Sequence, residues 1–128
     1  MTESQMKWAM TIAIVLSLAG LSLPAHAADA AAGKTVFNNT CAICHSAQAG
    51  KNLIGPSLFD ITGRKTASVV GYQYSAANKK ADLTWDDATL NTYLQNPQKV
   101  IPGTKMTYGG LKDDTKRADL IAYLTTLK

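Results

Sequence analysis

Cys41, Cys44 and His45 stand in the run Cys41-Ala42-Ile43-Cys44-His45, two thiols and an imidazole in the C-x-x-C-H pattern that marks covalent haem attachment. The spacing has a physical reason. Two thiols three positions apart can reach the two vinyl groups along one edge of a porphyrin. The imidazole that follows then projects beneath the iron, perpendicular to the ring. Once both thioethers form, the haem cannot leave, and His45 is held as the fifth iron ligand.

Other chemistries suit these residues less well. A thioredoxin-type thiol pair belongs in a βαβ context, and the sequence offers no alternating strand. A structural zinc site needs four ligands, and after Cys41, Cys44 and His45 only a carboxylate is left. A disulfide across two residues would be strained and would leave a thin core.

The sixth iron ligand follows by elimination. Beyond residue 27 the chain holds one histidine and one methionine, His45 and Met106; His26 and Met1, Met6 and Met10 come earlier. Electron-transfer haems of this kind use a His/Met pair, in which the thioether raises the potential. Met106 lies in Ile101-Pro102-Gly103-Thr104-Lys105-Met106-Thr107-Tyr108-Gly109-Gly110, a turn-rich loop rather than the helical stripe where methionine is core filler. Lys105 or Lys99 could replace it only if deprotonated, and an unperturbed lysine titrates near ~10.4.

Four helices are expected to position these groups. Asp29 caps a first helix running to about Thr40, on which Phe37, Cys41 and Cys44 fall at i, i+4 and i+7. A short helix follows Ser75 through Ala76, Ala77 and Asn78. Thr84-Trp85-Asp86-Asp87 reads as a variant capping box opening a helix with Leu90, Tyr93 and Leu94 on one face, which stops before Pro97. Asp113 or Asp114 caps a last helix with Leu120, Tyr123, Leu124 and Leu127 as its apolar stripe. Loops fall at Gly55-Pro56, Gly63, Gly71, Pro102-Gly103 and Gly109-Gly110. So few stripes leave a chain of this size marginal on its own burial. A large apolar macrocycle at the centre would supply the missing core, so folding and haem attachment are expected to be coupled.

The chain is 128 residues long, the size of one domain. Its beginning carries an address. Trp8 to Leu23 is free of charge and meets Pro24-Ala25-His26-Ala27, where Ala25 and Ala27 supply the small-x-small pattern of signal peptidase. Residues 1–27 are therefore expected to be a cleaved Sec-type signal peptide and residues 28–128 the functional domain, placed in the periplasm. Retention as an anchor is the alternative, although a spanning helix needs ~20 apolar residues. The net charge is +4 with or without the leader. The lysines are scattered and no aromatic stacking platform accompanies them, which argues against nucleic acid. A mild basic excess suits encounter with acidic protein surfaces.

From residue 30 onward the chain resembles class I cytochrome c, nearest the mitochondrial and bacterial cytochrome c2 type. Gly33-Lys34-Thr35-Val36-Phe37 is similar to the family's first helix and Leu120-Ile121-Ala122-Tyr123-Leu124 to its last. Between them Gly55-Pro56-Ser57-Leu58, Gly63-Arg64-Lys65-Thr66, Tyr72-Gln73-Tyr74, Ala77-Asn78-Lys79, Thr84-Trp85, Tyr93-Leu94, Asn96-Pro97 and Ile101 to Met106 keep the family's order. The resemblance implies an all-α fold of three to five short helices wrapped around one covalent haem c. It implies that the Pro56 carbonyl accepts a hydrogen bond from the free nitrogen of His45, and that Arg64, Tyr74 and Trp85 bind the inner propionate. Asn78, Tyr93 and Thr104 would form a polar network near the Met106 sulfur. Read without the family, Tyr93 and Trp85 are ordinary core aromatics.

The function so implied is one-electron transport, with no small-molecule substrate, by a monomer. Its redox partners would be of the kind of a cytochrome bc1 complex and a terminal oxidase, reaction centre or dehydrogenase. Lys99, Lys105 and Lys112 remain at the expected docking edge, but Thr40, Gln98, Asp113 and Asp114 stand where several members place lysine. A dedicated haem subunit of a larger enzyme, or a tethered carrier keeping its leader, are the alternatives. A haem peroxidase or gas sensor would need a distal His, Arg or Glu and an open site, and no histidine is spare.

Overall fold

The computed structural model describes residues 26–128. The expected signal peptide, apart from His26 and Ala27, lies outside the described residues. Five helices appear in chain order: α1 (Ala30–Thr40), α2 (Ala76–Lys80), α3 (Asp87–Gln95), α4 (Pro97–Val100) and α5 (Asp114–Thr125). Among the described residues the only β pairing is an isolated antiparallel bridge between Lys65 and Thr84, so the expected all-α class holds.

Local chemistry sets the helix starts. The Asp29 carboxylate accepts from the amides of Ala31 and Ala32, Ser75 Oγ from Asn78, and Asp113 from Lys116, each satisfying otherwise orphaned helix donors. The third start differs from the expected capping box. Asp86, not Thr84, caps α3, by accepting from the Thr89 amide. Thr84 and Trp85 are instead held extended, because Trp85 N–H donates to Arg64 C=O at 2.8 Å and Gly63 N–H to Trp85 C=O at 2.8 Å. The helix α4 was expected to be loop. Asn96 caps it through the Lys99 amide and Pro97 fills its first position, where a missing N–H costs nothing. A single turn is too short to show a periodic stripe.

Helices α1 and α5 cross in close contact at Gly33. A Cβ there would lie 1.9 Å from the Asp119 carbonyl oxygen, so only glycine permits the approach. Phe37 and Tyr123 pack beside the crossing with ring centroids 5.4 Å apart. The core comprises Phe37, Ile61, Trp85, Leu90, Tyr93, Leu94, Ile101, Leu120, Ile121 and Leu124. Leu120 and Leu124 of the expected stripe are buried, whereas Tyr123 and Leu127 are half-buried and Ile121 joins the core.

Two charged residues of α5 are also buried, and both are satisfied. Arg117, 3% exposed, donates from Nε to Asn91 Oδ1, from Nη1 to the Leu111 carbonyl and from Nη2 to Asp114. It thereby joins α5, α3 and the loop before α5. Asp119 accepts from the Asp29 amide at 2.8 Å and contacts His26 Nε2 at 3.3 Å. The Asp29 N–H first, and His26 less, hold its carboxyl below the usual range.

Candidate functional site: a cavity between one imidazole and one thioether

The core helices and the long loops enclose a cavity of about 580 Å³. Cys41, Cys44, His45, Pro56, Tyr74, Asn78, Trp85, Tyr93, Thr104, Lys105 and Met106 all line it. Eleven of the fourteen side chains singled out in the sequence are thus brought together. Arg64, Lys99 and Lys112 do not line it.

One wall is built from the end of α1 and the segment after it. The chain turns at once, with His45 N–H donating to Cys41 C=O at 2.9 Å and Gly55 N–H to Cys44 C=O at 2.7 Å. Before a haem is attached, burial first, and the nearby Cys44, push the Cys41 thiol up to about 11. His45 Nδ1 lies 2.7 Å from the Pro56 carbonyl oxygen, and a carbonyl can only accept, so Nδ1 carries the proton. Burial lowers the His45 pKa, with the Pro56 bond partly offsetting it. The ring is therefore neutral and keeps a free lone pair on Nε2. Gly55 lies flat against this ring: a Cβ there would sit 2.3 Å from Cε1 and 2.6 Å from Nδ1. That constraint was missed in the sequence, where Gly55 reads as one half of a Gly-Pro turn.

Met106, half-buried in its loop, lines the same cavity. Its sulfur lies 3.3 Å from the Tyr93 hydroxyl, which points its donor at it. Burial raises the Tyr93 pKa, and a hydrogen bond with Thr104 lowers it. Thr104 Oγ1 also accepts from the Met106 amide at 3.3 Å, so Tyr93, Thr104 and Met106 form one cluster. Asn78 lines the same space, and its buried Oδ1 has no protein partner. Trp85 and Tyr93 pack ring on ring at 4.7 Å between centroids.

The Arg64 guanidinium lies behind this lining. It donates from Nη2 to the Ser68 carbonyl at 3.0 Å, while the Tyr74 hydroxyl accepts from the Val69 amide at 3.1 Å. At the rim, Lys105 Nζ donates to the Gln73 carbonyl and lies 4.6 Å from the Tyr72 ring centroid. Lys112 Nζ donates to the Gln95 carbonyl. Tyr72 and Tyr108 also line the cavity. Tyr108 was missed as a site residue, although an aromatic two positions beyond Met106 in a turn-rich loop was a signal for it.

These donors fit a haem: two thiols, a neutral imidazole and a thioether line one largely apolar cavity. Fold and site thus define a c-type haem protein. Residues 30–128 match the family model described as cytochrome c. The chain is 48% identical over 100 residues to a cytochrome c of Euglena viridis, covering 78% of this chain and 98% of that one. It is 47% identical to a cytochrome c2 of Rhodopila globiformis, covering 78% and 94%. Among solved structures, cytochrome cH from Methylobacterium extorquens matches with a TM-score of 0.72 and 45% identity, covering 77% and 98%. The protein belongs to the cytochrome c family. It has the class I fold, binds one covalent haem c, and is an electron carrier with redox-protein partners, not an enzyme.

Proposed function

We propose that the chain is a soluble, exported one-electron shuttle in which Cys41 and Cys44 would hold a haem and His45 and Met106 would ligate its iron. The single observation behind this reading is that a neutral imidazole, fixed by Pro56, and a thioether held by Tyr93 line one largely apolar cavity. Bound haem supplies a reversible couple between ferrous and ferric iron.

The chain's own residues do the rest. Cys41 and Cys44 tether the group at the end of α1. The Pro56 carbonyl holds the proton on His45 Nδ1 and so directs Nε2 into the cavity. Tyr93 orients the Met106 sulfur. Leu90, Leu94, Trp85, Leu120 and Leu124 exclude water, which keeps the surroundings alike in both charge states. Tyr74, Trp85 and, through the Ser68 and Val69 segment, Arg64 would stabilise the inner propionate. Lys99, Lys105 and Lys112 rim the docking side, where weak transient complexes suit a shuttle. Partners of the bc1, oxidase, reaction-centre or dehydrogenase kind and a periplasmic setting after cleavage at Ala27 complete the proposal.

The test is a set of absorption spectra of the purified holoprotein, oxidised and reduced, with and without cyanide. A closed site gives a low-spin spectrum, a far-red sulfur-to-iron band and slow cyanide uptake. Met106→Ala should keep the haem attached but lose that band and bind cyanide at once. A parent protein that is already high-spin would overturn the His/Met assignment.

A further inference from the structure

The loop that carries Met106 hangs between two anchors. At its start Thr104 N–H donates to Ile101 C=O at 3.0 Å, and at its end Leu111 N–H donates to Leu94 C=O at 2.8 Å. Arg117 grips that far end through the Leu111 carbonyl. Between these points, among the described residues, the main chain of residues 105–110 makes one hydrogen bond to another element. Gln98 Nε2 donates to the Met106 carbonyl at 2.8 Å, and the same amide lies 3.4 Å from the Thr104 carbonyl.

Gln98 is well placed for such a grip. It sits in α4, one residue after the buried Pro97 and held by the Asn96 cap. That helix follows α3, which carries Tyr93, after a break at the single non-helical residue Asn96. The chain therefore reaches Met106 twice from neighbouring helices: Tyr93 holds the sulfur and Gln98 holds the backbone of the same residue. Its neutral amide donates to the loop without bringing a charge to it.

We infer that Gln98 is a positioning residue for Met106, a clamp that keeps the loop closed and slows displacement of the thioether by outside ligands. The inference rests on Met106 being an iron ligand. With the clamp in place, the loop must break the Gln98 bond each time it swings the sulfur away. Removing one net hydrogen bond should make the open form roughly five- to tenfold more populated.

The test is the rate of cyanide uptake by the oxidised holoprotein, measured with the far-red band and the denaturant midpoint on the same samples. Gln98→Glu keeps size and shape but turns the donor into an acceptor facing carbonyls. Gln98→Arg restores a donor of similar reach. The expected result is uptake at least fivefold faster in Gln98→Glu, a weaker far-red band, parent-like uptake in Gln98→Arg, and little change in midpoint because Gln98 is exposed. Uptake within twofold of the parent in Gln98→Glu, with Met106→Ala much faster than both, would overturn the clamp alone. If parent and Met106→Ala take up cyanide equally fast, the ligand assignment is overturned and the clamp falls with it.

Discussion

The His45 wall and the Met106 wall of the same cavity are held by different kinds of bond. Around His45 the backbone does the holding: Cys44 and His45 donate to Cys41, Gly55 to Cys44 and Leu58 to Ser46, all at 2.7–3.0 Å. The ring itself is wedged between Gly55 and the Pro56 carbonyl. Around Met106 the holding is done by the tips of side chains: Tyr93 on the sulfur, Thr104 on the amide and Gln98 on the carbonyl. Backbone bonds in a tight turn move together, while side-chain bonds can be released one at a time. The imidazole wall is thus the fixed side of the site and the thioether wall the adjustable side. On the proposed ligation, ligand exchange and tuning of potential would belong to the second.

An alanine scan of two glycines tests this contrast most severely. Gly55→Ala drives a Cβ into three atoms of the His45 ring, all within 2.8 Å. We expect a displaced imidazole, a high-spin spectrum and a stability loss of roughly 2–3 kcal/mol in denaturant titration. Gly109→Ala, in the Met106 loop, meets nothing within 4 Å, and should stay within about 0.5 kcal/mol of the parent. Equal effects at both positions would mean that the two walls are equally rigid.

A smaller effect is expected from Tyr93→Phe, which removes only the hydroxyl aimed at Met106. A donor on the sulfur withdraws charge and favours the reduced state. Its loss should lower the potential by roughly 20–60 mV, the equivalent of one hydrogen bond, measured by redox titration. An unchanged potential would mean that the hydroxyl does not act on the sulfur.

The smallest effect concerns the support of the fixed wall. Asp119 on α5 accepts from the Asp29 amide at the start of α1, the helix that ends beside Cys41. Its carboxyl is held below the ordinary value of 3.8, so the folded state favours the ionised form. The stabilisation is present above that value and is lost as pH falls through the lower folded value. Asp119→Asn should therefore be less stable than the parent at neutral pH, and the two should converge in acid below pH 3.8. A constant gap across the acid range would assign the effect to packing, not to charge.

The legible parts of this protein were those encoded by near neighbours in the chain. C-x-x-C-H fixes thiols and imidazole within five residues, Met106 stands out by scarcity, and Asp29, Ser75 and Asp113 announce their helices through side-chain bonds to amides two or three positions on. The family pattern carried His45 to Pro56, eleven positions away. What needed the tertiary structure lies across greater distances or in shape alone. Thr84 is excluded as a cap because Lys65 and Arg64, about twenty residues earlier, hold it and Trp85 extended. Gly55 is constrained by a ring ten positions before it, and Gly33 by a carbonyl on α5. Lys105 and Lys112 read as free charges until Gln73 and Gln95 are seen beside them. Gln98 reads only as a lysine lost, because its amide finds Met106 after α4 has turned back toward the loop. The sequence by itself determined which groups could hold a haem, since thiol, imidazole and thioether chemistry is intrinsic to residue type. The tertiary structure decided how tightly each is held, since that depends on which long-range contacts fill the space around it.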